Sequence, residues 1–81
     1  MKKIDHIGIA VNDFQAVKDI LNLLQIENHQ PDIVADQKVE TLCFIVGDSE
    51  IELLKPTNED SPIAKYLDKK GTGIHHIAIK V

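Results

Sequence analysis

Scarcity is the first information in this chain. Among 81 residues there is one cysteine, one tyrosine, two phenylalanines and no tryptophan. A single thiol, Cys43, excludes an internal disulfide. Its place inside the apolar run KVETLCFIV (38–46) predicts a small core residue rather than a nucleophile, because free cysteine is among the most buried residue types. Basic residues are outnumbered 9 to 13, for a net charge of −4. Without a basic stripe nothing displaces counterions from a phosphate backbone, which excludes nucleic acid as a partner. No apolar run approaches the ~20 residues of a membrane-spanning helix, and Met1-Lys2-Lys3 leads into a strand rather than a signal-peptide apolar region. No membrane partner and a cytoplasmic location are the resulting expectations.

What is present fits a folded domain, with 43% hydrophobic and 27% charged residues. A domain this short buries only about 60–65% of its unfolded surface, so its core is small and a second copy would enlarge it.

Hydrophobic spacing divides the chain into elements. Lys3 to Val11 alternates as a strand, with Ile7, Ile9 and Val11 on one face and His6, Gly8 and Ala10 on the other. Asn12-Asp13 offers an N-cap, and Phe14, Val17, Leu21 and Leu24 recur at helical spacing to an end near Gln25, where the usual stop glycine is missing. Pro31 marks a weak strand between His29 and Ala35 as an edge, and Asp36-Gln37 as a turn follows. Lys38 to Val46 reads as a buried strand, joined through a Gly47-Asp48 hairpin to a strand at Glu50 to Lys55. Ser61-Pro62 starts a short helix carrying Ile63, Ala64 and Leu67 to a stop at Gly71, and Gly73 opens a last strand.

That last strand repeats the first. IDHIGIAV (4–11) and IHHIAIKV (74–81) share Ile, His, Ile, Ile and Val at matched places, an offset that signals module duplication rather than a solenoid. Strand alternation sets His6 and His76 opposite their Ile/Ile/Val rows, so both imidazoles point away from the helix-packed face. Glu52 does the same on its strand, although Glu50 shares that face and periodicity leaves both open. Two imidazoles and a carboxylate in one cup suit a divalent metal such as Zn, Ni, Co or Mn. His75 has the opposite parity and reads as a packed or capped neighbour; His29, beside Pro31, reads as a loop or edge residue.

Four stretches, KIDHIGIAVND (3–13), VGDSEIELLKP (46–56), SPIAKYL (61–67) and GIHHIAIKV (73–81), together resemble the vicinal oxygen chelate (glyoxalase-like) superfamily, and within it the methylmalonyl-CoA epimerase branch, over its N-terminal part. The resemblance implies an α+β fold: a βαβββ module at 1–56 with a mixed, curved sheet, a linker with a short helix at 57–73, and the first strand of an incomplete second module at 74–81. It implies metal ligands at His6, Glu52 (in preference to Glu50) and His76, holding Co, Mn, Ni or Zn, and a general-base carboxylate at or beside Glu40. The fourth ligand falls in the part of the second module that this sequence does not contain.

The activity implied is that of an epimerase or isomerase moving a proton through a metal-stabilised enediolate. Its substrate is a small molecule, an acyl-CoA in that branch, and it works as a homodimer or as part of a longer chain. A glyoxalase I-like lyase and a non-catalytic small-ligand-binding module are the alternatives.

Overall fold

Phe14, Val17 and Leu21 form one apolar stripe because a helix returns to the same face every three to four residues. In the computed structural model, which describes residues 2–28 and 30–81, that stripe lies against one face of a five-stranded sheet. His29 lies outside the described residues. In chain order the elements are β1 (Lys3–Ala10), α1 (Gln15–Leu23), β2 (Asp32–Val34), a 3-10 turn (Ala35–Gln37), β3 (Val39–Val46), β4 (Ser49–Pro56), α2 (Pro62–Lys70) and β5 (Gly73–Lys80). The expected α+β fold and βαβββ module are therefore present.

The sheet runs β2-β3-β4-β1-β5, with β1 parallel to β4 and antiparallel to β5. Pro31 immediately precedes β2 at the outer edge, where a missing N–H costs no ladder bond. Gly47 takes φ 61° in the two-residue loop between β3 and β4.

Two cores occupy opposite faces. Under α1, Val11, Leu21, Leu42, Phe44 and Leu53 are buried, flanked by Ile9, Phe14, Val17, Ile26 and Ile51. Under α2, Ala10, Val39, Leu54 and Ile63 make a smaller cluster with Val34, Tyr66 and Leu67 at its border. The cup face is thus partly roofed by a helix, and the candidate site lies beside α2.

The helix ends show where local chemistry replaced the expected signals. Phe14 is the formal N-cap of α1, yet Asp13 Oδ1 still accepts from the Gln15 N–H at 2.9 Å. Leu24 does not continue the stripe and stays exposed, because the helix closes first. Gln25 takes the left-handed conformation (φ 61°), its N–H bonds Asn22 O and the Ile26 N–H bonds Leu21 O, both at 2.9 Å. That is a Schellman motif with glutamine where glycine is usual. α2 follows expectation: Ser61 Oγ accepts from the Ile63 N–H at 3.1 Å, Pro62 is the first helical residue, and Gly71 closes the helix at φ 74°.

The α1-side face of β5 is uncovered. Ile74, Ile77 and Ile79 are 57%, 53% and 54% exposed, although Ile9, the repeat counterpart of Ile79, packs under α1. Among the described residues no helix is long and apolar enough to cross a membrane.

Candidate metal centre

β1 and β5 hydrogen-bond antiparallel, and their register places His6 opposite Ala78, Ile7 opposite Ile77 and Gly8 opposite His76. Ile7 and Ile77 are repeat counterparts as well as ladder partners, so a local two-fold axis passes between them. About that axis each histidine faces a small residue of the other strand, His6 facing Ala78 and His76 facing Gly8. Both rings can therefore lean over the strand pair and meet: His6 Nε2 and His76 Nε2 are 3.1 Å apart, with the rings edge to face.

β4 brings the third donor. It runs beside β1 with Glu52 opposite Gly8, and Glu52 Oε1 lies 4.0 Å from His76 Nε2. The ligand atoms of His6, Glu52 and His76 all lie within 4.8 Å of one another. Gly8 sits beneath the ring of His76, where a Cβ would come within 2.7 Å of both ring nitrogens. The backbone there does not adopt positive φ; the requirement for glycine is steric.

Each Nε2 faces the centre while each Nδ1 is held from outside. Asp5 Oδ2 lies 2.9 Å from His6 Nδ1, and His75 Nδ1 lies 2.9 Å from His76 Nδ1. Such outer partners fix tautomer and ring orientation in histidine metal sites. With Asp5 accepting from the His6 Nδ1–H, His6 Nε2 accepts from His76, whose Nδ1 then accepts from His75, so one polarity runs through all three rings. The hydrogen bond to His6 holds the Asp5 carboxyl below its ordinary value, against weaker desolvation. Desolvation holds the His76 imidazole below its ordinary value, His6 and His75 add to the effect, and Glu52 opposes it. The neutral form of His76 is thereby favoured; ligation through Nε2 needs its proton on Nδ1 instead, with His75 Nδ1 then accepting.

Comparison with known proteins finds that residues 5–81 match the family described as the glyoxalase/bleomycin resistance protein/dioxygenase superfamily. The chain belongs to that superfamily. An uncharacterized protein of Bacillus subtilis is 39% identical over 79 residues, covering 96% of this chain and 56% of its own length. The ethylmalonyl-CoA/methylmalonyl-CoA epimerase of Cereibacter sphaeroides is 37% identical over 81 residues, covering 98% of this chain and 60% of its own. Among solved structures, the methylmalonyl-CoA epimerase of Mycobacterium tuberculosis superposes with a TM-score of 0.85 at 36% identity, covering 96% of this chain and 54% of that one. The chain thus spans between about half and three fifths of the length of these relatives.

Within this superfamily fold the remaining expected residues fall unevenly. Glu52 rather than Glu50 joins the two histidines, since Glu52 lies opposite Gly8 while Glu50 lies one pleat away, opposite His6. Glu40, expected as the general base, is not brought to the group. It belongs to the β3 face that carries Leu42 and Phe44, lies opposite Lys55, and its Oε1 is 3.1 Å from Lys55 Nζ. That ammonium in turn sits 4.9 Å from the centroid of the Phe14 ring on the α1 side. Strand alternation separates Glu40 from the cup.

Cys43 also departs from its expected place. It is half-buried and outside both cores, opposite Glu52, and its Sγ donates to Glu52 Oε2 at 3.8 Å. Desolvation first, then Glu52, pushes the thiol up to about 11, so it is no nucleophile at neutral pH.

His75 escapes strict alternation because β5 holds one extra residue between the pairs Gly8–His76 and Ile9–Ile74. The bulge sets its exposed ring against Tyr66 at 5.0 Å and His76 at 5.2 Å between centroids. Tyr66 is anchored by donating to Ile74 O at 2.8 Å. Sequence reasoning missed Asp5, Gly8 and Tyr66 as parts of the site. The Asp-His pair and the small residue two places after His6 were the available signals.

Proposed function

We propose that this chain forms half of a divalent-metal site of the methylmalonyl-CoA epimerase type, with His6, Glu52 and His76 as its ligands, acting on an acyl-CoA. The observation carrying this reading is the convergence of His6 and His76, one from each copy of the repeat, to 3.1 Å with a carboxylate beside them. The donor set fits. Bonds of ~2.1 Å to a tetrahedral ion separate donors by about 3.4 Å, close to the 3.1 and 4.0 Å found here, and mixed imidazole and carboxylate ligation suits Zn, Co, Ni or Mn.

A bound divalent ion would supply Lewis-acid stabilisation of negative charge developing on a substrate oxygen. The chain's own residues prepare the place for it. Asp5 and His75 orient the two imidazoles, Cys43 donates to the carboxylate oxygen that does not face His76, and Gly8 leaves room for the ring above it.

Epimerisation removes a proton from one face of a carbon and returns it to the other, so it needs proton-transfer groups besides the ligands. Among the described residues no second carboxylate is grouped with the three donors. The completing half is a second copy of this chain or the remainder of a longer one, and the uncovered isoleucines of β5 supply an apolar face for its α1-like helix.

Metal content measured together with oligomeric state tests the proposal. Stoichiometric metal in a dimer, lost in His6→Ala, is expected; a protein that takes up no metal in any assembly state refutes it.

A further inference from the structure

Beside the candidate centre the second core opens into a slot. It is lined by Val39 and Leu54 from the sheet, Pro62 and Ile63 from the start of α2, and His75 and His76 from β5, with Gln37 at its border. The space is about 180 Å3, room for about six waters at ~30 Å3 each. That is well below the ≈ 300 Å3 at which pockets for drug-sized ligands begin. No Lys, Asp or Glu lines it. Val39, Leu54 and Ile63 are each more than nine-tenths buried, so the floor of the slot is a preformed part of the core, while the exposed Gln37, Pro62 and His75 form its open mouth.

We propose that this slot receives the short alkyl substituent of an α-substituted acyl thioester. The assignment rests on the epimerase-type reading of the neighbouring centre. His76 joins the two regions: its Nε2 faces His6 and Glu52, while its ring forms one end of the slot. A ligand held at the centre by oxygen atoms projects a substituent on its α2 side into an environment with hydrocarbon walls. A carboxylate or thioester carbonyl entering there would lose its hydration with only imidazole and one amide to replace it. A methyl, ethyl or propyl group gains by burial, roughly fourfold in affinity per CH2. The volume admits such groups and excludes the CoA moiety, which must leave the centre by another side.

The walls also separate their duties. Ile63 is held in place through its own N–H, capped by the fully buried Ser61, and Leu54 and Val39 stand on adjacent strands with Ala10 behind them. Enlarging Val39 therefore narrows the slot without touching the three donor atoms.

The test begins with the metal-free chain and simple alcohols. In methyl-resolved NMR, titration with ethanol, 1-propanol and 1-butanol is expected to move the Val39, Leu54 and Ile63 methyl signals together, tightening roughly fourfold per added CH2. Val39→Phe is expected to weaken 1-butanol binding tenfold or more while cobalt binding survives. Should that variant fail to fold, Val39→Leu shifts the same series in the same direction. Shifts that are absent, scattered over other methyls, or unchanged in the folded variant overturn the slot.

In an active assembly, Val39→Phe is expected to lower the ratio of ethylmalonyl-CoA to methylmalonyl-CoA turnover tenfold or more; an unchanged ratio refutes the alkyl assignment. Alcohol binding at the three methyls with neither thioester turned over would overturn the epimerase reading and keep the slot as an apolar subsite.

Discussion

Replacing Gly8 by alanine should damage the metal centre while sparing the fold. Ordinarily an alanine in a strand is favoured over glycine by about 0.5–1 kcal/mol, because glycine loses more backbone freedom on folding. Here the new Cβ would stand 2.7 Å from both ring nitrogens of His76. Carbon and nitrogen at rest are about 3.5 Å apart and the ring's Cε1 lies nearer still, so the imidazole must retreat by more than about 0.8 Å. Metal–ligand distances tolerate about 0.2 Å, so a displacement several times larger removes one ligand from a set of three. The expected result is at least a tenfold loss of cobalt or zinc affinity in a chelator-competition titration. The midpoint of thermal unfolding should move by no more than the 4–8 °C that about 1 kcal/mol represents in a domain of this size. Ala78, which occupies the counterpart place opposite His6, provides the control: Ala78→Gly relieves no contact with His76 and should leave affinity unchanged. A folded Gly8→Ala protein with full affinity and unchanged His76 imidazole signals would refute the packing argument, and with it the account of how the two rings meet.

Other outcomes follow from the same contacts. His75→Ala removes the outer partner of His76 and should lower metal affinity about 10- to 100-fold, with the His76 imidazole nitrogen shifts moving in the apo chain and His75→Gln restoring part of both. Gln25→Gly relieves a left-handed residue at the end of α1 and should stabilise the chain by about 0.5–1 kcal/mol, read as a rise in the unfolding midpoint. Acid should destabilise the metal-free chain. His76 is held below its ordinary value of 6.5, so on acidification the unfolded state takes up the proton first; the contribution is complete above 6.5 and is lost as pH falls toward the lowered value. Unfolding midpoints measured in chelator from pH 8 to 5 should fall, and His76→Gln should flatten the slope over that window.

Much of the fold was legible because its signals are local. The Ser61-Pro62 cap, the Gly71 stop, the Gly47-Asp48 hairpin and the period-two rows of β1 and β4 each depend on a few neighbouring residues. Alternation also put His6, Glu52 and His76 on one face, and the structure groups them. Glu40 lies away from the group for the complementary reason. In an unbroken β3 its parity follows from Leu42 and Phe44, whose burial under α1 commits it to the far face; weighing that run as a register would have placed it there. Cys43 was misplaced by composition, because a run apolar on both faces hides which side each residue takes.

What no single-strand pattern contains is the pairing between strands. Gly8 matters only because the ladder sets it under His76, and His75 faces Tyr66 only because a bulge interrupts alternation one residue before the ligand. The bulge and the small residues serve one geometric end. Two histidines that are diagonal across an antiparallel pair point the same way and stand about 7–8 Å apart at their backbones, within reach of each other's rings. Small residues opposite each let the rings tilt inward over the local axis, and the extra residue in β5 provides His76 with an outer partner that regular alternation would have sent to the other face. Two of the three positions at which the copies differ therefore bear on the rings: Asp5 and His75 hold them from outside, and Gly8 and Ala78 stand opposite them, while Ala10 against Lys80 lies away from the pair.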